Sequence, residues 1–250
     1  MTPELWTPPR KLWTPSRSKR RIIRAGFVQG AVGTGSAAPS SVSTANFAGA
    51  NTLGNFIGVG ICSTNNSDTV NSVSDTAGNT TWTLAGHVAI GGNPIWLYYA
   101  WNIKAAGANT NKVTANVTAG GFSSWGIFAI EESGVQNTSD PKRVANTAGN
   151  NFGSSTDPTC SLAGTSASDT IIAVVYNTST PTAGSPLVLR EQVGTVASLP
   201  VTAMIEDGTL AGGTVNPFAG PATTIWNIVA AAFIAAPAAP SGNAIFYNSD

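Results

Sequence analysis

This sequence predicts an all-β fold, an antiparallel β-sandwich or jelly roll carrying an extended N-terminal arm, on three observations. Only 10% of its 250 residues are charged, whereas exposed helix faces are normally rich in Lys and Glu. From Ala45 onward, short apolar runs alternate with Gly, Asn, Asp, Ser and Thr turns. No stretch shows the roughly 3.6-residue apolar period of an amphipathic helix. The length suits one large β domain or two small ones, and it is enough to bury a real core.

Residues 1–24 form the arm. Leu5-Trp6-Thr7-Pro8-Pro9-Arg10 is echoed by Leu12-Trp13-Thr14-Pro15-Ser16-Arg17. The prolines exclude a regular helix and hold the residues before them extended. Two tryptophans in such a segment have no local core to enter. Leu5, Trp6, Pro8, Arg10, Leu12, Trp13, Pro15 and Arg17 are therefore read as anchors for pockets on a partner or neighbouring subunit, because Trp and Arg dominate interface hot spots. Tandem units also suit two equivalent pockets, where avidity multiplies affinity. Lys19, Arg20, Arg21 and Arg24 follow as a basic cluster for phosphates or an acidic partner. The formal net charge of zero conceals this arm: residues 1–24 carry +6, and residues 25–250 carry −6.

Residues 25–44 read as a flexible Gly/Ala/Ser linker, 45–236 as the sandwich body and 237–250 as a tail. Strands are expected near Asn55–Cys62, Val70–Ser74, Thr80–His87, Pro94–Ile103, Lys112–Val117, Ser124–Glu131, Asp169–Tyr176, Val188–Val196, Val201–Glu206 and Trp226–Ile234. Pro94–Ile103 is apolar on both faces, so it is central or meets another subunit. A short echo links Trp125-Gly126-Ile127-Phe128-Ala129-Ile130 with Trp226-Asn227-Ile228-Val229-Ala230-Ala231. A second links Asn51-Thr52-Leu53 and Phe56–Cys62 with Ser168-Asp169-Thr170 and Ile171–Tyr176. Together they suggest two related Greek-key halves in one sandwich. Pro237 and Pro240 stop the last strand, and Ile245-Phe246-Tyr247 in the tail are suited to docking on a subunit.

The residues for catalysis are sparse. His87 is the sole histidine, it falls on a strand, and no Gly-x-Ser-x-Gly elbow is present. Glu131-Glu132 and Glu206-Asp207 are strand neighbours that point to opposite faces, so neither pair can share one substrate; a cross-chain carboxylate pair stays open, and strand-end surface charge is the expected role. Asn65-Asn66-Ser67-Asp68 and Ser72–Asn79 are rich in oxygen but lack calcium-loop spacing, and turn chemistry explains them better. Cys62 and Cys160 read as two buried thiols. There is no phosphate loop or dinucleotide fingerprint, and no cofactor or metal is expected. No apolar run is long enough for a membrane helix. Ala25 to Ala38 is too glycine-rich for a good signal-peptide core.

The runs Thr69–Thr80, Ile95-Trp96-Leu97-Tyr98-Tyr99-Ala100 and Ala129-Ile130-Glu131-Glu132-Ser133-Gly134-Val135 resemble β-sandwich domains of tailed-bacteriophage virion proteins and bacterial surface proteins. The short proline-rich arm resembles the arrangement in phage capsid decoration, head-fibre or tail-attached proteins. That resemblance implies a non-enzymatic structural role on the virion, attachment to other virion proteins through residues 1–24, and a homo-oligomer, favouring a trimer. Two other functions stay open. One is a jelly-roll capsid shell protein whose basic arm meets nucleic acid, against which the Trp-Pro units argue because they are shaped for protein pockets. The other is a carbohydrate-binding module or adhesin, with Trp82, Trp96, Trp101 or Tyr98 stacking on sugars.

Overall fold

The computed structural model describes residues 26–156, 158–177, 187–193, 202–209, 213–215 and 223–237. Their regular structure is entirely β. The strands are β1 (Gly26–Gly35), β2 (Ser41–Ser43), β3 (Phe56–Ser63), β4 (Thr69–Asp75), β5 (Thr83–Val88), β6 (Ile95–Trp101), β7 (Val113–Thr118) and β8 (Trp125–Ser133). They continue with β9 (Lys142–Thr156), β10 (Leu162–Thr165), β11 (Thr170–Asn177), β12 (Val188–Val193), β13 (Thr202–Thr209), β14 (Gly213–Val215) and β15 (Thr223–Phe233). All ten expected strands are present, and β1, β2, β9, β10 and β14 are additional. No helix among the described residues is long and apolar enough to cross a membrane.

The stretch expected to be a linker is corrected by β1 and β2. β1 pairs along its whole length with β8, so the body begins at Gly26 rather than at residue 45. Glycine is used there for close approach: a side chain on Gly30 would collide with Glu191, and one on Gly33 with the Ser43 backbone. High glycine content marks a crowded edge strand here.

Two five-stranded antiparallel sheets face each other, in the orders β1-β8-β3-β6-β5 and β12-β13-β11-β15-β9. A three-stranded sheet, β2-β7-β4, covers the outer face of the first, and the β10-β14 pair lies on the outer face of the second. Three apolar cores separate these four layers. Phe56, Leu97, Phe128 and Ile130 meet Ile172, Val174, Val229 and Phe233 between the large sheets. Ile57, Val59, Ile61, Trp96 and Trp125 pack under the three-stranded sheet. Ile171, Ala173, Val175, Trp226 and Ile228 form the third core. Each fully buried aliphatic or aromatic side chain contributes about 1.5–3 kcal/mol relative to exposure, so the three cores dominate the folding free energy. Being covered on both faces explains why β3 and β11 are buried at every position. It also explains the two-faced apolar strand β6 without a second subunit.

The chain folds as two halves of matching topology. In the first, β1 pairs with β8, β2 with β7 and β3 with β6. In the second, β9 pairs with β15, β10 with β14 and β11 with β13. This nested pairing is the winding of a jelly roll. Register places Trp125 opposite Ser63 and Trp226 opposite Asn177, which aligns the two Trp-led runs. Even the bulges correspond: one falls between Leu84 and Gly86 of β5, its counterpart between Leu189 and Glu191 of β12. Likewise β1 bulges between Phe27 and Gln29, and β9 skips Arg143 in its pairing with β15. Bulges re-aim a strand, and their agreement in place is a stronger mark of common architecture than the few shared side chains. The halves differ where residues 64–82, which carry β4, are matched by the shorter segment 178–187.

Because Gly58 lies against Ile172 and Gly60 against Val174, β3 and β11 run in the same direction. The approximate twofold relating the halves is therefore parallel to the strands, and the molecule has two distinct ends. The chain enters at Gly26 and leaves after Phe233 at one end, the base. The connections 36–40, 64–68, 89–94 and 119–124 lie at the opposite end, the tip.

Candidate functional site

The arm residues Leu5, Trp6, Pro8, Arg10, Leu12, Trp13, Pro15, Arg17, Lys19, Arg20, Arg21 and Arg24 lie outside the described residues, as does the Ile245-Phe246-Tyr247 tail.

The aromatic candidates do not form one platform. Strand alternation puts Trp96 and Tyr98 on the outer face of the first sheet, where Trp82 joins them, and Trp101 on the inner face beside Tyr99. Trp96 is only 4% exposed and is sandwiched, with His87 at 4.8 Å on one side and Trp125 at 5.8 Å on the other. Both faces of its ring are occupied, which corrects Trp96 as a sugar-stacking residue. His87 serves this stack, and burial pushes its pKa below the ordinary histidine value. Cys62 lies in the core between the large sheets and Cys160 in the core beyond the second, so a sheet separates the two buried thiols.

The oxygen-rich turns are used by their own backbone. Asn65 Oδ1 accepts the Ser67 amide at 3.0 Å, and Asp75 accepts the Asn79 amide at 2.9 Å. Buried Asp68 accepts the Ser63 hydroxyl and, at 2.7 Å, the Gly120 amide. These are turn locks of the kind that Asx side chains make.

The adjacent acids on β8 diverge as alternation requires, but Glu131, Glu132 and Asp207 are buried, which corrects their expected role as strand-end surface charge. Glu131 turns outward and is fully buried, its carboxylate accepting Gln29 Nε2 at 2.6 Å, Asn51 Nδ2 at 2.8 Å, the Thr52 amide at 2.9 Å and Asn55 Nδ2 at 2.7 Å. Four donors on one carboxylate tie the 51–55 turn to β1 and β8. In the second half Asp169, the register equivalent of Asn55, is buried there and bonds Arg143 Nε at 2.6 Å and the Ser166 amide at 2.7 Å.

Glu132 turns inward, in phase with Phe128 and Ile130, and meets Asp207 of β13 across the space between the two halves. Neither Glu132 oxygen has a hydrogen-bond partner of good geometry, and Asp207 is the carboxyl nearest in effect. Arg190, the bulge residue of β12, forms an ion pair with Asp207, its second guanidinium nitrogen lying 3.3 Å from Asp207 Oδ2. Its guanidinium carbon sits 4.4 Å from the centre of the Phe27 ring on β1, a cation–π contact. Burial, and then the Asp207 charge, raise the Glu132 pKa to about 10, against the pull of Arg190. The shift favours the protonated form of Glu132. With Glu132 fully buried and Asp207 3% exposed, this cluster is closed to solvent between the halves. The sequence carried one hint of it: the apolar phase of β8 puts Glu132 on a core face.

No family model, curated protein or solved structure matches the chain.

Proposed function

We propose that this protein is a non-enzymatic structural component of a virus particle, a capsid decoration or particle-attached fibre protein held by its N-terminal arm, with the body displayed as a homo-oligomer, trimeric by preference. The observation that carries this reading is the division of charge and chain between the two ends. The +6 arm joins the body at Gly26, at the base, where the charged residues of both signs gather: Lys104, Lys112, Lys142 and Arg143 with Asp75, Glu131, Glu132, Asp140, Asp169 and Asp207. The opposite end points away from the attachment point. A rigid double jelly roll suits display, since its layers bury both faces of each large sheet and leave little to rearrange.

The test is deletion of residues 1–17 followed by measurement of occupancy on purified particles. Loss of binding with an unchanged unfolding midpoint is the expected outcome, and full occupancy overturns the anchor. The jelly-roll winding also favours a second reading, a shell protein whose basic arm contacts nucleic acid, because capsid domains use this architecture. On that reading nucleic acid co-purifies with the protein at low salt and dissociates at high salt, and it is largely kept when residues 1–17 are deleted but lost when the deletion extends to residue 24 and takes Lys19, Arg20, Arg21 and Arg24 with it.

A further inference from the structure

The tip has a chemistry unlike the rest of the surface. Its described connections, 36–40, 64–68, 89–94 and 119–124, contain a single charged residue, Asp68, which is 3% exposed. Asp68 spends its charge inside the tip, bonding the Ser63 hydroxyl and the Gly120 amide. The Ser124 amide donates to Thr64 Oγ1 at 3.0 Å, and Trp125 Nε1 donates to Ser123 Oγ at 3.0 Å. The 119–124 turn is thus clamped on both sides. What it presents is Phe122, 94% exposed, with the Asn65 amide against the neighbouring Gly121 and exposed Asn66 and Ser67 close by in the chain.

We propose that the turns 64–68 and 119–124 bind a neutral polysaccharide, with the Phe122 ring against the C–H face of a sugar and the Asn65 and Asn66 amides bonding its hydroxyls. The absence of exposed charge among the described residues of these turns disfavours an anionic or cationic ligand, since nothing in them would offset the cost of dehydrating it. A protein partner would need an apolar ring around the aromatic anchor to exclude water, and the neighbours here are Ser, Asn and Gly. A sugar matches both features: an apolar ring face for the aromatic, and hydroxyls that donate and accept as an amide does. The braced turn lowers the ordering cost of binding. This site is at the end opposite Gly26 and does not depend on how the arm is held.

The experiment passes the full-length protein over immobilised dextran, mannan and β-glucan, and over heparin as the charged control, at low and high salt. Retention on at least one neutral polymer is expected, insensitive to salt, falling about tenfold or more in Phe122→Ala and kept in Phe122→Trp. An exposed side chain can be truncated without unfolding the protein, so an unchanged unfolding midpoint should accompany the loss. No retention on any of the three neutral polymers, retention on heparin alone, or equal binding by Phe122→Ala overturns the proposal. Particle occupancy of Phe122→Ala should equal that of the parent protein, so the arm and the tip can fail separately.

Discussion

Around Phe233 the core between the large sheets is closed by aromatic rings: Tyr99 lies 4.9 Å away edge-on, and Phe56 lies at 4.6 Å. Tyr99 also donates to Asp140 at 2.8 Å. At the position related to this by the molecular twofold, register puts Glu132 in place of Phe233, Asp207 in place of Tyr99 and Thr170 in place of Phe56. Phe27 stands there for Lys142, and Arg190 for Ala85. One corner is oily and the other is a buried acid pair with its own cation. The difference teaches that the two halves share winding, bulges and register rather than core chemistry. A buried corner tolerates carboxyls in place of rings when a cation and a proton accompany them.

The comparison breaks most sharply at the aromatic corner. Phe233→Ala removes a fully buried ring, and the cavity left in a rigid double sheet should cost about 4 kcal/mol by urea denaturation. That loss should be the same from about pH 6 to pH 9, since Phe233 carries no titrating group and burial raises the pKa of the neighbouring Tyr99 away from that range. A cost that varied strongly with pH would mean that the two corners are coupled.

Next in size is the acid corner's cation. Arg190→Met keeps length and apolar contact but leaves Asp207, 3% exposed, without its ion-pair partner. Since the arginine side chain is itself a quarter exposed, the cost should fall at the lower end of that for breaking a buried pair, about 3 kcal/mol. Adding Asp207→Asn should restore most of it, because the orphaned charge is then gone. Failure of the double variant to recover would show that Arg190 acts through its packing on Phe27 instead.

The strands that period and turn chemistry revealed are those with β-branched and aromatic residues, such as Phe56–Ser63 and Thr170–Asn177. Those that stayed hidden have compositions that do not favour extension by themselves. β1 is glycine-rich, and β9 runs through Asn146, Thr147, Gly149 and Asn150; pairing with β8 and β15 makes each a strand. Tertiary pairing overrides weak local preference in this way. The duplication was legible where Trp125, Ile127 and Ala129 recur as Trp226, Ile228 and Ala230, and invisible where only backbone register is kept. The acid pair was hidden for a different reason: Glu132 and Asp207 lie on separate sheets, and no sequence spacing records which faces stack.

The smallest expected effect tests the proton. Glu132→Gln keeps the shape and an N–H donor but removes the need to hold a proton that the unfolded chain releases. The folded pKa, about 10, lies above the ordinary glutamate value of 4.5, so the folded state binds more protons throughout the interval between them. Stability from this group is therefore complete below about pH 4.5 and declines as pH rises through the folded value. At pH 7 the displacement amounts to at most about 3 kcal/mol, and imperfect amide fit should leave a gain of about 2 kcal/mol in the variant. The gain should vanish near pH 4 and grow toward pH 9, read as the difference between urea midpoints of the two proteins. A constant difference across that range would mean that Glu132 is ionised in the folded protein, with Arg190 shared between it and Asp207. The acid corner would then be an ion cluster, and its likeness to the aromatic corner would be one of position alone.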